Sequence, residues 1–135
     1  MRSKQISYYL DSSAILKLII KEAESDSLRK FINTKVITSA ISRVEVIRTL
    51  SLNDESLIIA GQMVLEKFEL MPLSRPILTI AENFSSQITL RSLDALQVAS
   101  VIFLSPMVKS LITYDKNMIK NAKALGISVV SPGIK

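Results

Sequence analysis

Three times along this chain a short apolar run gives way, within a residue or two, to a stretch with helical spacing. ISYYL (6–10) precedes SSAILKLIIKE (12–22), KVITS (35–39) precedes AISRVEVIRTLSL (40–52), and KSLITY (109–114) precedes DKNMIKNAKAL (115–125). The runs are short and rich in β-branched or aromatic residues, as buried strands are; in the first helix Ile15, Leu18 and Ile19 share one face. Strands alternating with helices predict an α/β fold: a three-layer α/β/α domain around a mainly parallel sheet of four or five strands. Such sheets set their sites at the carboxyl ends of the strands, beside a topological switch point.

The remaining segments fit the same plan. ESDSLRKFI (24–32) reads as a short helix and ESLIIAGQMVLEKFEL (55–70) as a long amphipathic one after the cap-like Asn53-Asp54. LMPLS (70–74) reads as a short strand at the sheet edge. Pro76 opens a helix over 75–90, where a first-turn proline is well tolerated. SLDALQVASVIFL (92–104) predicts a buried helix with Ser92 as N-cap, Gly126 stops the helix before it, and ISVVS (127–131) is the last strand. With no repeat, low-complexity tract or linker, residues 1–135 make one domain.

Two absences restrict the chemistry. The chain has no cysteine, which removes disulfides, thiolate nucleophiles and zinc–thiolate sites, and no histidine, the commonest general base. Catalysis must then use carboxylates, hydroxyls, Lys or Tyr, and an all-carboxylate site prefers hard cations such as Mg²⁺ or Mn²⁺. The net charge of +5 suits a polyanionic partner, although an aromatic content of 5% argues against a stacking platform for single strands. No apolar run reaches the length of a membrane span, and Asp11 interrupts the segment behind the basic N-terminus MRSKQIS. A soluble, cytoplasmic protein is expected.

Of the twelve acidic residues, Glu22, Glu24, Asp26, Asp54, Glu55, Glu66, Glu69 and Glu82 read as solvated surface. Asp11 instead ends the first strand, Asp115 lies just past another, and Asp94 opens an apolar helix. Glu45 stands between Val44 and Val46, with Ile41 and Leu52 on its own face. Each has a bland explanation. Asp11 and Asp115 can be N-caps, Asp94 gains from the helix dipole, and Glu45 can pair with Arg48 three residues on, a contact worth only about 0.2–0.5 kcal/mol. Together they suggest one acidic pocket. Two carboxylates 4 Å apart repel by about 4 kcal/mol at an effective dielectric of 20, so four need a cation or must stay partly protonated.

The order of motifs YYLDSSAIL, SRVEVIRTL, LRSLDALQVAS and LITYDKNMIKNAKALGISVVSP resembles the PIN-domain ribonucleases, in particular the VapC-type toxins of toxin–antitoxin pairs, over almost the whole chain. That resemblance implies a metal-dependent endoribonuclease. Asp11, Glu45, Asp94 and Asp115 would hold one or two Mg²⁺ or Mn²⁺ ions, supported by the hydroxyls of Ser12 and Thr113. In-line attack on an RNA phosphodiester would leave a 5′-phosphate and a 3′-hydroxyl. It also implies a VapB-type antitoxin as partner and a homodimer, with no membrane association. Gln97, where relatives often carry His, and Asn117, where some carry a further acid, depart from the pattern; neither is expected to touch the quartet.

Three alternatives are weighed against this. A phosphotransfer receiver domain would show adjacent acids near the first strand and a Lys after the last, and an aspartyl phosphohydrolase would want an acid at Ser13. A non-catalytic PIN-fold module that binds RNA or a protein would keep the fold without chelator-sensitive cleavage. With the four acids set aside, 17 basic residues face 8 acidic ones. Arg43, Arg48, Arg91 and Lys116 neighbour the quartet in sequence and are the expected phosphate contacts. Replacing any one should lower the salt dependence of RNA binding by about one unit of log–log slope. An unchanged slope in all four variants would remove the assignment.

Overall fold

The computed structural model describes residues 7–134. Ile6, expected in the first strand, and the rest of the basic N-terminus before Ser7 lie outside the described residues.

The chain runs β1 (Ser7–Leu10), α1 (Ser12–Lys17), α2 (Ser25–Phe31), β2 (Val36–Ser39), α3 (Ala40–Asn53), then a 3-10 turn (Glu55–Leu57). It continues through α4 (Ile58–Leu65), β3 (Glu69–Met71), α5 (Arg75–Glu82), α6 (Ser92–Leu104), β4 (Val108–Ile112), α7 (Lys116–Ala124) and β5 (Val129–Val130). The five strands form one sheet in the order β3-β2-β1-β4-β5, with every pairing parallel. Each strand therefore needs a crossover, which the helices supply. The order reverses beside β1: the chain builds outward through β2 and β3, then returns to add β4 on the other side.

Both faces of the sheet are covered, and the alternation within β1 shows how. Tyr8 and Leu10 join Ala14, Ile15, Leu28, Val46, Leu50 and Leu65 in a core under α1 to α4. Tyr9 points the other way and packs with Val98, Val101, Leu104, Met118 and Ala122 of α6 and α7. Successive strand side chains face opposite sides, so a strand buried on both reads as a continuous apolar run. The chain adopts the expected three-layer α/β/α arrangement, with five strands where four or five were expected and all of them parallel.

Several boundaries differ from the sequence reading. α1 stops at Lys17 instead of running to residue 22. Leu18, Ile19 and Ile20 still pack against the core, but in a bend that leads into α2. The expected helix over 55–70 begins as the 3-10 turn and ends at Leu65. Its last residues are captured by the open edge of β2, where Glu69 and Leu70 sit opposite Ile37 and Thr38. α5 ends at Glu82, well short of residue 90. Ser92 is the first residue of α6 and not its cap; Arg91 holds that position, without a side-chain cap bond. α7 does end before Gly126, whose φ of 81° is a conformation glycine adopts without strain.

One close approach fixes how α3 and α4 pack. A Cβ built on the buried Gly61 would lie 2.5 Å from the Leu50 Cδ1 and 3.5 Å from the Ile19 Cδ1. Gly61→Val should therefore destabilise the fold by about 1–3 kcal/mol through overpacking, outweighing any gain in helix propensity. Urea unfolding checks this as a lower midpoint at unchanged m-value.

Candidate active site

Asp11 follows the last residue of β1 and is 2% exposed. It is the N-cap of α1, accepting the Ala14 amide at 3.0 Å on Oδ1. The Ser13 hydroxyl donates to the same oxygen at 2.7 Å, and the Thr113 hydroxyl donates to Oδ2 at 2.5 Å. Both hydroxyls also accept backbone amides from the loop after β4: Tyr114 N–H on Ser13 and Asp115 N–H on Thr113. The two strand ends are thus laced together by side chains that end on one carboxylate. Burial pushes the Asp11 carboxyl up to about 6; the Thr113, Ser13 and Ala14 bonds pull against it, and the nearby Asp115 adds to it.

Asp115 caps α7, accepting the Met118 amide at 2.8 Å, and is solvent-exposed. Asp94 lies in the first turn of α6, half-buried. Its carboxyl is raised by burial and by Asp115, against the pull of Arg91. Glu45 lies on α3, where burial raises its carboxyl, the Ser12 hydroxyl and the Gln97 amide lower it, and Asp94 raises it. These couplings make a row: Asp11 with Asp115, Asp115 with Asp94, Asp94 with Glu45. A pocket lined by Glu45, Arg91, Ser92, Leu93 and Asp94 opens at one end of it.

The sequence reading needs correction here. Glu45 is not wrapped by its own helix, since Val44 and Leu52 are 59% and 73% exposed. Nor does Arg48 pair with it among the described residues. Its partner is Gln97 of α6, whose Nε2 donates to Oε1 at 2.7 Å, so Gln97 does touch the quartet. Ser12, an expected supporting hydroxyl, bonds Glu45, and its neighbour Ser13 bonds Asp11. Gln97 stood out in the sequence only as a departure from the family pattern and as a polar side chain one turn after Asp94; neither shows that it reaches Glu45. Asn117 bonds Thr89 and Asn121 instead of an acid; with Asn121 it ties the segment before α6 to α7. Glu24 is not simply solvated: Lys17 pairs with it at 2.7 Å and with Glu22 at 2.9 Å, over the Tyr114 ring. Arg43 is half-buried, and Arg48, Arg91 and Lys116 are exposed; none makes an ion pair among the described residues.

The donor set is compatible with a divalent cation. Every candidate ligand is a carboxylate oxygen, which suits hard ions. Three of the four carboxyls bind protons more tightly than usual because they are buried among their own kind. A positive ion relieves that repulsion. Among the described residues no three acidic side chains are grouped tightly enough to enclose an ion as they stand, so the acids form an open row and not a closed cage.

Asp11 also sets a pH dependence. Its folded pKa of about 6 exceeds the ordinary 3.8, so the native state holds an extra proton between those values. The stabilisation is complete below about pH 4 and is lost as pH rises through 6, up to about 3 kcal/mol for this group. In chelator, the melting temperature should rise as pH is lowered from 7 to 5, and Asp11→Asn should flatten that slope. Thermal melts at constant ionic strength decide it; an unchanged slope in the variant would refute the role given to Asp11.

Among the described residues no helix is long and apolar enough to cross a membrane. The PIN domain family model matches residues 8–124. Ribonuclease VapC46 of Mycobacterium tuberculosis is 39% identical over 126 residues, covering 92% of this chain and 96% of the relative. Ribonuclease VapC35 of the same species is 32% identical over 131 residues, covering 93% and 96%. Among solved structures, a toxin–antitoxin complex from Klebsiella pneumoniae matches with a TM-score of 0.75 at 18% identity, covering 93% of this chain and 97% of that one. The M. tuberculosis VapC20, a sarcin–ricin-loop-cleaving toxin, matches at 0.74 and 15% identity, covering 93% and 99%. A strand-end acid row on this sheet order, with a family match across nearly all of the chain, places it: the chain belongs to the PIN-domain family, among its VapC-type members.

Proposed function

We propose that this chain is a divalent-metal-dependent endoribonuclease and the toxin of a toxin–antitoxin pair, with Asp11, Glu45, Asp94 and Asp115 as its ion-binding and catalytic carboxylates. The observation that carries the reading is the row of mutually coupled carboxyls beside the switch point of the sheet, in a chain of this family. One or two Mg²⁺ or Mn²⁺ ions would supply Lewis acidity at the scissile phosphate and an acidified water for in-line attack.

The protein's own part is positioning. Asp11, with both oxygens bonded and its surroundings buried, has one available orientation and keeps one lone-pair site, on Oδ2, free for a ligand. Asp115 is held by its cap bond, and Glu45 by Gln97. Arg91, beside Asp94 at the pocket mouth, offers a bidentate donor to an RNA phosphate, with Arg43, Arg48 and Lys116 as further candidates. The absence of His fits a site in which a cation, not an imidazole, activates the nucleophile.

The partner reading has separate support. Neighbours from Klebsiella pneumoniae and nontypeable Haemophilus influenzae are toxin–antitoxin assemblies, which favours a VapB-type antitoxin here. Exposed Leu52, Ile59 and Met63 supply apolar surface for a protein partner, including the second copy of a homodimer.

Asp94→Asn tests the site. Asp94 makes no side-chain hydrogen bond among the described residues, so the substitution removes charge and little else. RNA cleavage should be abolished, with melting in chelator unchanged or raised because repulsion with Asp115 and Glu45 is relieved. Wild type should gain melting temperature with Mn²⁺, by roughly 2.7 kcal/mol at 100 times the dissociation constant, and the variant much less. Normal cleavage and a normal metal response in the variant would overturn the site.

A further inference from the structure

Gln97 is 1% exposed and lies in α6, the helix whose Val98, Val101 and Leu104 pack into the core. An apolar side chain of the same length would fill that position without the cost of burying an amide. The amide nevertheless makes three of its four possible hydrogen bonds. Its Oε1 accepts the Tyr9 hydroxyl at 3.0 Å and the Ser42 hydroxyl at 2.6 Å, and its Nε2 donates to Glu45 at 2.7 Å. One side chain thereby joins β1, α3 and α6.

The polarity of this network has a direction. The Glu45 carboxylate only accepts, so it takes the amino end, and the two hydroxyls, which can donate or accept, then donate to the carbonyl end; turned over, the amide would set its oxygen against the carboxylate. Ser42 Oγ is itself within 3.5 Å of Ser39 Oγ, which extends the chain back to the end of β2. Hydrogen bonds in such a series reinforce one another. Glu45 is the one member that is half-buried and reaches the cleft. An unrestrained Glu has several rotamers, and a bond to a fixed donor selects among them.

We propose that Gln97 is a positioning residue for Glu45: its buried amide, locked by Tyr9 and Ser42, holds the Glu45 carboxylate toward Asp94 so that cation binding and turnover both depend on it. This inference rests on the nuclease reading above. A purely structural amide would instead affect only the stability of the fold.

Two substitutions separate these roles. Gln97→Met keeps the length and removes the donor; Gln97→His offers one ring N–H and one acceptor nitrogen. Mn²⁺ binding is measured without RNA by calorimetry, and cleavage kinetics at a temperature where circular dichroism shows each variant folded. Gln97→Met should lose about 10- to 100-fold in Mn²⁺ affinity and in kcat, the usual range for a partner that orients a ligand, with KM for RNA little changed. Gln97→His should recover most of both. Val98→Ala, a core cavity in the same helix that removes no hydrogen bond of this network, should lower the melting temperature yet keep Mn²⁺ affinity and kcat.

The proposal falls if Gln97→Met matches wild type in both readouts, if Gln97→His is no better than Gln97→Met, or if Val98→Ala loses as much. A wild-type protein that neither binds Mn²⁺ nor cleaves RNA would sink the nuclease reading itself. A wild type that does both, beside an unaffected Gln97→Met, would sink only the role of Gln97.

Discussion

The parallel pairing of β1 with β4, Leu10 beside Ile112, is the contact on which the site depends. It sets the residues after both strands side by side at the same end of the sheet. Asp11 then comes within reach of Thr113, and Asp115 follows two residues later at the head of α7. Because the strand order reverses between β1 and β4, helices leave on opposite faces there and a cleft remains. Two hydroxyls close the gap: Thr113 and Ser13 each donate to Asp11 and accept an amide from the neighbouring loop. The same groups that join the strands also fix the carboxylate.

This arrangement works against the stability of the protein. Carboxyls that bind protons too readily are carboxyls the fold holds in an unfavourable place. The cores on the two faces of the sheet, with Tyr9, Leu10, Ile15, Leu111 and Ile112 fully buried, offset that cost. Natural proteins commonly retain local strain of this kind where ligand binding requires it. Lys17, paired with Glu24 and Glu22 over the Tyr114 ring, braces the loop after β4 from outside the acid row.

Sequence patterns located elements well and their ends poorly, for identifiable reasons. Helical spacing continues through Leu18, Ile19 and Ile20, so nothing local shows that α1 stops at Lys17. The apolar spacing of 55–70 likewise conceals that its last residues pair with β2, an edge that exists only once the sheet has formed. Ser92 has the chemistry of a cap, yet the chain begins α6 one residue earlier. In contrast, Asp11, Asp115 and Gly126 were legible because a cap or a stop is a local property of a few adjacent residues.

What the sequence by itself determined is the plan and the chemistry. Alternating strand and helix patterns imposed a parallel sheet, and the lack of His and Cys left carboxylates, hydroxyls, Lys and Tyr as the chemistry available at the strand ends. Only the tertiary structure decided which polar groups serve those acids. Thr113 and Asp11 are 102 residues apart, and Gln97 and Glu45 are 52 apart. A hydrogen bond is made or missed within a few tenths of an ångström, and no periodicity along the chain specifies a distance across it. That Ser13 serves Asp11, that Ser12 serves Glu45, and that Gln97 rather than Arg48 is the partner of Glu45 were settled by packing.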